Sequence, residues 1–166
     1  GISGVSGKLS FTSGTTSDGA SGSIELYSGD ATNGEGGDIL LSVGKSKTDF
    51  GGDIRLLGGD SEPYTGGAIS FGSGEGTKTS SGALVLSTVN SGTSGVSGML
   101  SFTSGTTSSG SSGSFTLGTG TSTNGKGGDM ILSIGSGTTF DGGDLSIESG
   151  DTTASTKDSG AISMTA

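Results

Sequence analysis

A glycine followed by large apolar residues two and four places later recurs along the whole chain. The glycines are Gly7, Gly22, Gly37, Gly52, Gly67, Gly82, Gly98, Gly113, Gly128, Gly143 and Gly160, fifteen residues apart except for one step of sixteen and one of seventeen. The apolar pairs are Leu9/Phe11, Ile24/Leu26, Ile39/Leu41, Ile54/Leu56, Ile69/Phe71, Leu84/Leu86, Leu100/Phe102, Phe115/Leu117, Met130/Leu132, Leu145/Ile147 and Ile162/Met164. Side chains two apart on an extended backbone share a face, so each unit predicts one short β-strand with a single apolar side. Seven residues after the leading glycine stands a second one, as at Gly14, Gly29, Gly44, Gly59, Gly74, Gly105, Gly120, Gly135 and Gly150, with Val89 the exception. A glycine closing each strand predicts a turn with positive φ there. The Ser, Thr, Asn and Asp residues that follow would satisfy the turn amides with their side chains.

A longer period overlies the first. Residues 4–19, GVSGKLSFTSGTTSDG, return as GVSGMLSFTSGTTSSG at 95–110, and 32–44, TNGEGGDILLSVG, return as TNGKGGDMILSIG at 123–135. Both pairs lie 91 residues apart, which is six units. The chain therefore reads as one repeat array over 1–166, a super-repeat at 1–91 followed by an incomplete second copy at 92–166. Equivalent strands at fixed spacing, with no helical period anywhere, predict an all-β fold, a β-solenoid of about eleven short strands. The segments between strands are too polar to close a core. This favours two strands per rung of about 30 residues, in two facing parallel sheets whose Ile, Leu and Phe faces meet. In that arrangement Glu25 would lie beside Arg55 on neighbouring strands; one-strand rungs would instead stack Asp30, Lys45 and Asp60, and an antiparallel meander of the same strands is a third arrangement.

Composition changes the picture in one respect. Of 166 residues, 38 are glycine, 34 serine and 23 threonine, and only 27% are hydrophobic. Such figures fit a disordered linker, but a linker would scatter its aliphatic residues, whereas all 22 of the paired positions are large and apolar. The chain has no histidine or cysteine. That removes the usual zinc sites, haem ligation, iron–sulfur clusters, thiol nucleophiles and the Ser–His pair, so no enzyme and no cofactor are expected. A formal charge of −9 and an isoelectric point near 4.1 disfavour nucleic acid and anionic membranes. No apolar run approaches a membrane span, and none has the order of a signal peptide. The chain starts at Gly1-Ile2-Ser3 and stops at Met164-Thr165-Ala166 inside the recurring pattern, which reads as a piece of something longer.

Few residues invite chemistry. Asp38, Asp53, Asp129 and Asp144 each follow a Gly-Gly pair, and repeated aspartates on stacked turns would offer hard oxygen ligands to calcium. Calcium-binding nonapeptide β-rolls use aspartates in that way, but with a nine-residue period that this chain lacks, so the plainer reading is a solvated strand entrance. Thr12, Thr103 and Thr165 share one outward position, as in ice-binding faces, yet Tyr27, Leu57, Gly72 and Glu148 interrupt the row. Asp49 with Asp53, or Asp60 with Glu62, have the makings of a glycosidase pair and the look of ordinary surface charge. Phe50, Tyr64 and Phe140 follow strands in three loops, where they would stack along an edge or cover a rung; for Tyr64, beside Pro63, loop packing is the simpler role and contact with another chain the alternative. No N-glycosylation sequon occurs at Asn33, Asn90 or Asn124, while the Ser/Thr-dense turns would accept O-linked sugar.

The motif [SG]-G-x-φ-x-φ-x-x-G, where φ is an apolar residue, runs through the eleven units, complete in nine, with Val89 in place of the last glycine in one and the given sequence stopping before it in another. In it the whole chain resembles the Gly/Ser/Thr-rich β-strand repeat proteins of extracellular surfaces, such as adhesin stalks and algal surface proteins. The resemblance implies a non-enzymatic structural fibre or scaffold outside the cell. Uncapped solenoid ends would let copies associate end to end into filaments. The alternative is an adhesin-type module, or an ice- or carbohydrate-binding face, carried on a solenoid stalk.

Overall fold

The computed structural model describes Gly4 and residues 6–165. It overturns the all-β expectation: among the described residues there is neither helix nor β-strand, and none is buried. The described residues form no β-solenoid, no rungs and no paired parallel sheets. With them go the open sheet ends through which end-to-end association was expected. The chain exposes 16,936 Å². A packed chain of this mass would expose about 7,300 Å² and a fully extended one about 22,800 Å².

The fifteen-residue period survives as a regular series of bends. Two units divide the chain, Gly1–Val85 and Leu86–Ala166. The first bends at 17–19, 32–34, 47–49, 62–64 and 77–79, the second at 93–95, 108–110, 123–125, 138–140 and 155–157. Bends fall ten residues after the leading glycine almost throughout. The first three pairs of equivalent bends in the two units are 91 residues apart, as the super-repeat requires.

At each bend the chain folds back, so that the segments on either side approach in opposite directions. The Gly67 N–H donates to the Gly59 carbonyl at 2.8 Å across the bend at 62–64, and Gly82 to Gly74 at 3.0 Å across 77–79. In the second unit Gly143 donates to Gly135 at 3.4 Å and Gly160 to Gly150 at 2.8 Å. One such bond beside a bend is not a ladder, and no ladder continues beyond it. This explains why alternation alone misleads. A strand requires a neighbour in register along its length, and ordering a backbone this rich in glycine is entropically expensive. Parallel pairing would also have to recruit a segment some thirty residues away, whereas the fold-back closes a loop of about eight.

The two glycine positions acquire different roles from those the sequence suggests. Most of the leading glycines lie against the residue nine places earlier, at the end of the previous segment. A Cβ on Gly52 would sit 2.8 Å from Val43 Cγ1, on Gly143 3.0 Å from Ile134 Cγ2, and on Gly128 3.3 Å from Thr119 Cβ. Lack of a side chain there permits the close approach. The second glycine, expected to adopt positive φ, does not. Positive φ is found instead at Gly19, Gly95 and Gly110, the last residue of three bends.

The polar residues of the bends do what the sequence suggests. Thr16 Oγ1 donates to the Asp18 carbonyl at 2.7 Å and accepts the Asp18 N–H at 3.2 Å. Thr107 and Ser109 repeat this pair of bonds 91 residues later, at 2.8 and 3.3 Å. Ser46 Oγ accepts the Asp49 N–H at 3.0 Å, and Thr152 Oγ1 accepts that of Ala154 at 3.2 Å. Each is a short side-chain-to-backbone turn of the kind Ser and Thr form locally.

Candidate functional site

The carboxylates do not converge. Asp38 and Asp53 stand fifteen residues apart at the starts of successive segments of the first unit, and Asp129 and Asp144 do the same in the second. Among the described residues no three acidic side chains gather where they would share a metal ion. Two of the four are taken up by cations beside them. Arg55 donates to Asp53 at 3.2 Å, in place of the expected neighbour Glu25, and Lys126 lies 2.8 Å from Asp129 Oδ1 and 2.9 Å from its Oδ2. Glu25 instead accepts a long bond from Ser23 Oγ at 3.5 Å. Asp49, half of one carboxylate pair considered above, accepts the Phe50 N–H at 2.8 Å and so helps shape its own bend.

Both ion pairs are open to water, which screens them. Exposed pairs of this kind contribute little. Replacing Lys126 with methionine is expected to leave thermal melting and circular dichroism unchanged, within about 0.5 kcal/mol of stability. A larger loss would mean that this pair holds the bend at 123–125.

Aromatic residues in and beside the bends are not packed down. Phe50, Tyr64 and Phe140 are 83–94% exposed, so neither the rung covering expected of the three nor the loop packing expected of Tyr64 is realised. Thr12 lies in the first unit, Thr103 and Thr165 in the second.

The feature that organises the side chains is a row without charge. At two, four and six residues after every leading glycine there is no charged residue in either unit. The charges of the segments lie at odd steps, as with Lys8, Glu25, Asp53, Arg55, Asp129 and Glu148, and all the others lie in or around the bends. Exposure follows the same alternation. Met130 and Leu132 are 48% and 62% exposed while Ile131 between them is 84%, and Ile39 and Leu41 at 54% and 67% flank Leu40 at 88%.

Fold-back at the bends brings these rows together within each unit. The Phe102 and Phe115 rings, on either side of the bend at 108–110, have centroids 6.3 Å apart and tilt by 31°. Such spacing suits an attractive aromatic pair. Phe11, Ile24 and Leu26, with Glu25, line an open groove of about 340 Å³ across the bend at 17–19. The apolar pairs are visible in the sequence as a core. What sequence reasoning misses is that the row reaches a third position, including Val43 and Ile134, and that nothing covers it; the absence of charge at even steps was the available signal.

No family model, no curated protein and no solved structure matches the chain. No helix among the described residues is long and apolar enough to cross a membrane.

Proposed function

We propose that the protein is a non-enzymatic structural element, a repeat spacer or scaffold that works outside the cell. The observation that carries this reading is a single bend-and-segment pattern, repeated at constant spacing in both units, in which residues capable of chemistry are dispersed instead of gathered. A catalytic or specific ligand site needs convergent groups held by a packed shell. A spacer needs only that each added unit extend the chain. Bends lined with Ser, Thr and Asp are well solvated and would carry O-linked sugar, which suits an exterior surface. The β-solenoid fibre has no place in this reading; length comes from repetition of bends.

The test is dimensional. Adding a third 91-residue block to the chain should enlarge its radius of gyration by small-angle scattering roughly as an open chain grows, with an exponent near 0.6 in residue number. Growth with an exponent of about 0.38, that of a compact globule, would overturn it. Exterior placement is checked separately, by brief proteolysis of intact source cells, which should remove the protein while sparing internal markers.

A further inference from the structure

We propose that the charge-free apolar row is an interface, and that its occupant is a second copy of this chain. The proposal rests on the scaffold reading in naming like copies as the partner. Each unit carries eleven large side chains at the second and fourth steps, and none is buried. Complete burial of such a side chain removes roughly 60–120 Å² of apolar surface, so eleven that are on average about 60% exposed still offer about 600 Å². That approaches the ~800 Å² per partner of a stable protein interface.

Composition favours a like partner. No charged residue occupies an even step of the row, so apart from Glu25 at the edge of one groove its covering carries little charge-desolvation cost. The same pattern recurs in both units, which makes one row a match for another in a face-to-face, isologous contact. Nucleic acid and anionic lipid are disfavoured by the formal charge of −9. The odd steps hold Lys8, Asp53, Arg55 and Asp129, which remain in water when two rows meet, while Glu25 borders the groove beside Phe11, Ile24 and Leu26. This contact lies along the apolar face, not at sheet ends, which the described residues do not form.

The experiment compares the two faces. Sedimentation of the full chain over a range of concentrations should show reversible self-association. The substitution Leu132→Lys, in the row, should weaken it by about tenfold or more, while Ile131→Lys, on the other side, should change it by about twofold or less. Because the native chain has no cysteine, single-cysteine variants give a second readout that does not depend on stability. Under mild oxidation L117C should form a disulfide-linked dimer in high yield and T116C little. Equal yields, equal effects of the two lysines, or a chain that stays monomeric would overturn the proposal. So would capture of a monomeric chain by neutral phosphatidylcholine vesicles, which would make a lipid surface the occupant. In any of these cases growth of the radius with an exponent near 0.6 in residue number would still leave the scaffold reading standing.

Discussion

Heated as a dilute single chain, the protein is expected to unfold with a little over one third of the heat-capacity change of a packed protein of its length. The expectation follows from surface. Unfolding a packed chain of 166 residues would expose the difference between about 22,800 and 7,300 Å². Here 16,936 Å² is already exposed. At about 12–15 cal/mol/K per residue a packed chain would give roughly 2.0–2.5 kcal/mol/K, so about 0.8 is expected in this case. The urea m-value should fall in the same proportion, because it too follows the area exposed. The transition should be broad, since no core links one bend to another and local openings are independent. Differential scanning calorimetry at low concentration checks this; a sharp peak with the full heat-capacity step would mean that the chain buries a core of its own. Raising the concentration should sharpen the transition if copies cover one another's apolar rows, because binding partners stabilise by mass action.

Alanine at Gly76 or Gly137 should open one bend and leave the rest alone. A Cβ on Gly76 would collide with the Ser80 carbonyl oxygen across the bend at 77–79, and one on Gly137 with the Phe140 carbonyl oxygen at 138–140. These neighbours are backbone atoms and cannot swing aside, so the loop must widen at a cost of roughly 1–3 kcal/mol. The cross-bend bonds from Gly82 to Gly74 and from Gly143 to Gly135 span the same loops. Their amide protons should therefore exchange about tenfold faster or more in the variants, measured by NMR. Gly29 and Gly44 have open space where a Cβ would stand. Alanine there should leave exchange unchanged or slow it slightly, by restricting the unfolded chain. If all four variants behave alike, the bends are not closed as described.

The sequence disclosed the period and the face, but not the pairing. Leu9 and Phe11, or Met130 and Leu132, do share a side, and the bends recur where Ser, Thr and Asp follow each segment. What could not be read was whether those faces find a partner within the chain. Alternation specifies which residues would be covered, and says nothing about the cost of ordering Gly-Gly and Ser-Gly corners far enough to build a ladder. The leading glycines were legible as corners, but their neighbour was not. Only the fold-back shows that Gly52 is small because Val43 approaches it, and that positive φ belongs to Gly19, Gly95 and Gly110. For the candidate calcium ligands the limit was similar. Asp53 and Asp129 recur at regular places, yet each has a cation of its own two or three residues away.

The lack of any buried side chain among the described residues also bears on how such a chain can change over generations. Between the two copies of the 91-residue block Lys8 is matched by Met99, Asp18 by Ser109, and Glu35 by Lys126, a reversal of sign. Ile39, Leu40 and Val43 are matched by Met130, Ile131 and Ile134. In a tightly packed interior each exchange of volume or branching would need a compensating one nearby. Where no described side chain is enclosed, a residue answers only to its step after the glycine, so the copies can drift apart letter by letter while the pattern of steps is inherited intact.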